Sequence, residues 1–391
     1  MDNFNTTDME NYAKKIDEKY ADRDADKMGY QEFKSTYADT VEKAFHYKGM
    51  SDVEIENRLV DKVNETYDAL TVKHSGSDVG VNISITDAYD AYVNHDVSIV
   101  EIAAEATAKT AAALENAPNI SNGINDIQNY DVMKNKLVME VVSAETNAEL
   151  LETVPHKDIE DMAVIYRFDV KDIVGEGATV IVTNKMLDNY GITPDQLHED
   201  AVKNAPEIRP IVIQGMAEVL AKQMGVEDLE MLGLNVPPEQ EQIFVASVPD
   251  NVHGAGILAY EDFMDKASER VGNQSFFILP SSIHELLIVP DNGMMDLHSL
   301  EQMVREVNAT TVDPSEKLTD NVYHYDAQDK VFELGEKFVE RQAAKERGEV
   351  KEAVAKKSLL GELKAAKVEA AKEPHKDAID KGVKSKGDVA I

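Results

Sequence analysis

With 391 residues, 43 % of them apolar and 29 % charged, the chain has material for a sizeable core and is not disordered throughout. The absence of Cys and Trp excludes disulfides, a thiolate nucleophile and a Cys-based zinc site. A formal net charge of −34 opposes binding to phosphate backbones.

Residues 1–27 are polar and charge-dense (Glu18, Lys19, Asp22, Arg23, Asp24, Asp26, Lys27). They read as a loose extension or frayed helix, without the basic-then-apolar order of a signal peptide. From about Tyr30, the spacing of Phe33, Tyr37, Val41 and Phe45 predicts an amphipathic helix. Ser51-Asp52-Val53-Glu54 matches a capping box and predicts a short second helix. Val63, Tyr67, Leu70 and Val72, then Val79, Val81, Ile83 and Ile85, flank the turn residues Ser75-Gly76-Ser77-Asp78, a hairpin signal. Residues 97–116 predict a helix with Val97, Val100, Ala104 and Ala108 on its apolar face. These elements make a first module, residues 28–119.

A larger module, residues 120–332, follows. Lys136–Val142, Met162–Val170 and Ala178–Val182 are strand-like, the last two joined by a turn at Gly175-Glu176-Gly177. Thr146-Asn147-Ala148-Glu149 is a second capping box. Thr193-Pro194-Asp195-Gln196 opens a helix to about Asn204, with Thr as N-cap and Pro at the first helical position. Another helix is predicted from Val212 to Met224. Further strands are expected at 243–248, 275–279, 283–289 and 322–325, and further helices at 259–270 and 296–308. Pro280 and Pro290 bound one of those strands. The pattern implies an α+β fold, with mixed or antiparallel sheets and packed helices. From Glu333 the composition turns to Ala, Lys and Glu, a charged helical tail. Residues 333–391 hold 14 Lys+Arg against 12 Asp+Glu, so the net charge of −36 belongs to residues 1–332. No run approaches the ~18 apolar residues of a membrane helix. The expected location is the cytoplasm, with no membrane association.

Polar chemistry concentrates in two loops. Phe276-Phe277-Ile278-Leu279-Pro280 ends a strand and is followed by Ser281, Ser282, Ile283, His284 and Glu285. Asn251-Val252-His253-Gly254-Ala255-Gly256 lies between a strand and a helix. If the strands pair, Asn251 and His253 approach Ser281 and His284. Two chemistries fit these residue types: a hydroxyl activated by an imidazole, or a metal held by His253, His284 and a carboxylate. Against them, His284 and Glu285 as strand neighbours face opposite ways. HExxH and G-x-S-x-G are both absent. Turn-forming serines and locally bonded His284 and Glu285 are the plainer alternative. Gly254-Ala255-Gly256 lacks the G-x-G-x-x-G and P-loop patterns and suits a tight turn, so no cofactor is expected.

The runs LLETVPHKDIEDMAVIYRFDV (150–170), TNKMLDNYGITPDQLHEDAVKNA (183–205), NVHGAGILAY (251–260) and FFILPSSIHELLIVPD (276–291), in this order, resemble an uncharacterised bacterial family, domain of unknown function number 5688. The similarity covers about residues 28–332, and PSSIHE is its most specific part. Residues 183–205 also resemble a segment of another uncharacterised bacterial family. The resemblance implies cargo of a mobile genetic element and supplies no catalytic residues. KKSLLGELKAAK (356–367) is similar to a C-terminal motif of mobile-element proteins. With Leu359, Leu360 and Leu363 it is a candidate docking segment for a protein partner.

The leading expectation is therefore a non-catalytic accessory or protein-interaction protein. The alternatives are a hydrolase or metal-dependent enzyme built on the 251–256 and 280–285 loops, and an acidic, antirestriction-type DNA mimic.

Overall fold

The structure, a computed structural model, describes residues 6–77, 80–116, 127–174, 178–225, 240–280 and 282–346. Helices and three antiparallel sheets make an α+β fold.

The first sheet has the order β1 (Val53–Lys62), β2 (Glu65–His74), β3 (Gly80–Ser84). It shares a core with α1 (Thr6–Lys19), α2 (Tyr30–Tyr47), α3 (Ile85–Asn94) and α4 (Ile99–Asn116). Phe33, Tyr37, Val41 and Phe45 of α2 are all buried, as their spacing requires. The polar N-terminal segment is more ordered than its charge suggests, because Ala13, Ile16 and Tyr20 supply a narrow apolar stripe to this core. Ser51–Glu54 leads into a strand, not a helix. Ten register pairs between β1 and β2, from Val53↔His74 to Lys62↔Glu65, outweigh one local cap. Ile85 opens α3, capped by Ser84, and does not extend the strand. In α4 the buried face is Ala103, Thr107, Thr110, Ala111 and Leu114, while Val100 is 68 % exposed and Ala104 and Ala108 face solvent. An Ala-rich helix is apolar on several faces, so periodicity alone could not choose among them.

The second sheet has β6 (Met162–Asp169) at its centre, paired with β4 (Leu137–Ser143) on one side and with β5 (His156–Ile159) and β7 (Thr179–Ile181). Short helices α5 (Tyr130–Met133), α6 (Ala148–Thr153), α7 (Lys171–Val174) and α8 (Asn184–Tyr190) flank it, and α9 (Pro194–Ile208) packs on it. The Thr193 hydroxyl accepts from the Gln196 N–H, as its spacing predicts. Asn147 precedes α6, but its side chain does not cap the helix. The expected turn at 175–177 lies outside the described residues.

The third sheet has the order β13 (Val331–Leu334), β12 (Tyr323–Asp326), β10 (Phe276–Leu279), β11 (Leu286–Pro290), β9 (Phe244–Ser247), β8 (Val212–Gly215). Val212 and Ile213 pair with Ser247 and Ala246, so the expected helix there starts only at Met216, as α10 (Met216–Gln223). The predicted 259–270 helix is a 3-10 segment (Gly254–Ala259) followed by α11 (Phe263–Arg270). One face of the third sheet, through Phe244, Ala246, Phe276, Ile278, Leu286 and Ile288, joins Met139, Val141, Val164 and Phe168 of the second sheet in the main core. Phe277, Leu279 and Val289 on the other face pack against α12 (Leu297–Thr310). Glu333 and Leu334, which composition assigns to the tail, complete β13. Phe338 of α13 (Gly335–Glu346) stacks on buried His324, and Arg341 reaches Asp326, Asp329 and Glu333. A charge-rich helix is fixed here by the ring of Phe338, against His324 and Phe277, and by ion pairs from Lys337, Arg341 and Lys345. The 356–367 segment lies outside the described residues.

Candidate functional site

Glu140 sits among apolar side chains in its strand (LVMEVVS, polar otherwise only at the terminal Ser143) and is 1 % exposed. It occupies the face of β4 opposite the main core, beside Arg167 of β6, whose Nε donates to Glu140 Oε2. Arg167 also donates to the Thr179 hydroxyl at 3.1 Å. The other carboxylate oxygen, Oε1, lies 2.6 Å from His253 Nδ1. Burial opposes a charge on Glu140, but the guanidinium of Arg167 and the imidazole of His253 overcome it and hold the carboxyl below its ordinary range.

His253 reaches this position through unusual backbone. Its φ of 53° is left-handed, a conformation that costs a non-glycine residue about 1 kcal/mol. Positions 254 and 256 must then be glycine. A Cβ on Gly254 would overlap Ser247 Oγ and the His284 carbonyl oxygen, and one on Gly256 would overlap the Met139 carbonyl oxygen. The 3-10 segment thus lies directly against β4 on one side and the β9–β11 end of the third sheet on the other. Arg209, donating to the Val252 carbonyl at 2.8 Å, fixes the preceding turn.

The two loops singled out in the sequence meet. His253 N–H donates to His284 Nδ1 at 3.2 Å, and the two imidazole centroids are 5.7 Å apart. Ala255 N–H donates to the Ile283 carbonyl at 3.1 Å. Because His284 Nδ1 accepts, its neutral form carries the proton on Nε2, which lies 3.3 Å from Glu316 Oε1. The result is a row of four ionisable groups, Glu140, His253, His284 and Glu316, running from a buried carboxylate to a half-exposed one.

The other candidates are placed differently. Ser282 Oγ accepts from the His284 N–H at 3.0 Å, a turn contact, and is not bonded to an imidazole nitrogen. Ser281 lies outside the described residues. Asn251 is exposed, at a left-handed φ of 55°. Burial pushes the half-buried Glu285 carboxyl up, against the opposing pull of His284. Among the described residues no three His, Asp or Glu side chains are grouped so as to hold a metal ion. Glu140, Arg167 and Glu316 were missed in the sequence. Glu140 carries a legible signal, a lone charge inside an apolar strand that must find a buried partner; Arg167 shares its strand with Asp169 and stands out less. Glu316, in a polar loop, carries none.

A family model described as a family of unknown function matches residues 30–327, which span this fold from α2 to the turn after β12. The chain belongs to DUF5688. All four ionisable residues of the row lie inside the DUF5688 region. No curated protein and no solved structure matches the chain. No helix among the described residues is long and apolar enough to cross a membrane.

Proposed function

We propose that this DUF5688 chain is a hydrolase whose general base is His253. One observation carries the reading: a buried carboxylate stands 2.6 Å behind Nδ1 of an imidazole that is 21 % exposed. With the proton on Nδ1, beside Glu140 Oε1 in an ion-pair contact but out of line for a hydrogen bond to it, Nε2 is the nitrogen free to take a proton from water. Glu140 then stabilises the imidazolium that forms, as the carboxylate of a hydrolytic triad does. His284 borders the same water-accessible face as a second imidazole, with its N–H toward Glu316. No serine among the described residues bonds to either ring, so the proposed nucleophile is water. The substrate class is one attacked by water, an ester, amide or phosphoester, and the location is the cytoplasm.

The test is turnover of chromogenic esters, anilides and phosphoesters by the wild-type chain and by His253→Gln. The variant is expected to lose about 10²- to 10⁴-fold in kcat/KM, the range contributed by a positioned base. Equal rates for the two proteins across all three substrate classes would sink the reading.

A second reading, the non-catalytic interaction protein, is supported by α4. Its outward Val100, Ala104 and Ala108 add an apolar stripe to a helix already buried on its other side. This reading predicts a protein partner and no direct nucleic-acid binding, and it leaves the site's turnover at zero. The DNA-mimic reading has less support. Asp68, Glu140, Asp169, Asp326 and Glu333 are buried within the fold and cannot join a displayed row of charges.

A further inference from the structure

The tip of the β1–β2 hairpin lies more than 70 residues before Glu140 in the sequence and belongs to the first sheet, yet it reaches the row of ionisable groups. Val63 packs in a small cluster with Val142, Leu150, Val154, Ala163 and Ile165 of the second sheet region. The next residue, Asn64, has a left-handed φ of 62°, which turns its amide toward the loop around Glu316. Its Nδ2 donates to the Ser315 carbonyl at 3.0 Å and to the Lys317 carbonyl at 2.7 Å, the two residues flanking Glu316. Asn64 is itself held on its other side. Its N–H donates to Asn147 Oδ1 at 2.7 Å, and its Oδ1 accepts from Asn147 Nδ2 at 2.8 Å. Asn147 is 3 % exposed, and its amide is further anchored on the Ser143 carbonyl at the end of β4. This explains why Asn147 does not cap α6: its side chain is engaged by the hairpin.

The loop so gripped touches the site in two places. The Glu316 carbonyl accepts from the Ile283 N–H at 2.9 Å, and the Glu316 carboxylate faces His284 Nε2. A bridge between Ser282 and Lys317 runs alongside. Asn64 therefore fixes Glu316 from both neighbours, and Glu316 fixes His284.

We propose that Asn64 is a positioning residue for the His284–Glu316 half of the site, contributed by the N-terminal module. The proposal rests on the site described above, and its readout is independent of turnover. In the wild type both nitrogens of His284 are engaged, by His253 N–H and by Glu316, so acylation of this ring by diethylpyrocarbonate is slow. Asn64→Gly keeps the left-handed backbone and deletes the two amide donors. Asn64→Asp keeps the size and sets a carboxylate against two carbonyls.

The experiment is site-resolved mass spectrometry of diethylpyrocarbonate labelling in the full chain, at His253 and His284 separately. In both variants the His284 rate is expected to rise about fivefold, the ratio set by one partly exposed ion pair. The His253 rate should stay unchanged, because its ring faces Glu140, which Arg167 holds, on the opposite side. Glu316→Ala supplies the reference rise. A rise in Glu316→Ala with none in the Asn64 variants would overturn the proposal, and so would an equal rise at both histidines. Unfolding of both Asn64 variants, read by far-ultraviolet circular dichroism, would overturn it too, since a residue on which the whole fold depends is not a positioning residue. Unchanged turnover in His253→Gln would overturn the hydrolase reading while leaving the labelling result to stand or fall separately.

Discussion

Glu140→Ala is expected to destabilise the chain by about 3–5 kcal/mol, the cost of leaving a buried charge without its partner. The orphan is Arg167, whose side chain is 16 % exposed and whose Nε has Glu140 as its acceptor. His253 loses its carboxylate in the same substitution. The measurement is the urea midpoint, which should fall at constant slope. The pH dependence is a sharper check. The Glu140 carboxyl is held below its ordinary value of 4.5, so its ionisation stabilises the folded state fully above that value. That stabilisation is lost as the pH falls through the lower, folded-state value. Glu140→Gln, which keeps the shape, should therefore show a shallower acid limb than the wild type. An acid limb with the wild-type slope would mean that folding does not hold the Glu140 carboxyl below its ordinary value.

Gly256→Ala is expected to cost about 3 kcal/mol, the upper part of the usual overpacking range. The added Cβ meets the Met139 carbonyl oxygen, and both sides are backbone held by hydrogen bonds. Met139 is paired with Tyr166 inside the second sheet, and Gly256 N–H is bonded to the His253 carbonyl. Gly49 provides the control. It has a φ of 80° and nothing within 4 Å of an added Cβ, so its replacement by alanine should cost only about 1 kcal/mol of backbone strain. Equal losses in the two variants would move the cause from the contact to the backbone. The contact also predicts a spectroscopic signature: in Gly256→Ala the His253 ring resonances should shift, because the 3-10 segment can retreat only by drawing His253 away from Glu140.

What could be read from the sequence was whatever depends on neighbours along the chain. The period of Phe33, Tyr37, Val41 and Phe45 fixes one helix face, and Thr193-Pro194 fixes one helix start. The strands between prolines and turns, such as β10 and β11, also emerge within a few residues of their predicted limits. Ser51–Glu54 failed because a cap has only local weight, whereas β1 is decided by its ladder with β2. Val212 and Ile213 failed in the same way, pairing with β9 more than 30 residues later. In the site, His253 and His284 were legible as reactive residue types in short loops. Their partners were not, because Glu140 and Glu316 come from places the loops reach only after three sheets have assembled. Glu140 alone announced itself, as a carboxylate amid Val and Met.

The separate core of the first sheet has a consequence for biosynthesis. Every buried residue of that core has been synthesised once Leu114 is added, so this core can assemble while the strands of the third sheet are still being translated. The third sheet cannot. Phe276–Leu279 of β10 gains one neighbour within a few residues, as β11 forms, but its other edge stays bare until Tyr323–Asp326 appears. At about 5–20 residues per second that edge, Phe-Phe-Ile-Leu, is open for several seconds. An unpaired apolar edge is a template for aggregation, and this interval is when a nascent chain would most need a chaperone. β12 closes that edge, and β13 then covers the free edge of β12, which gives these late elements a protective task in the assembly of the fold.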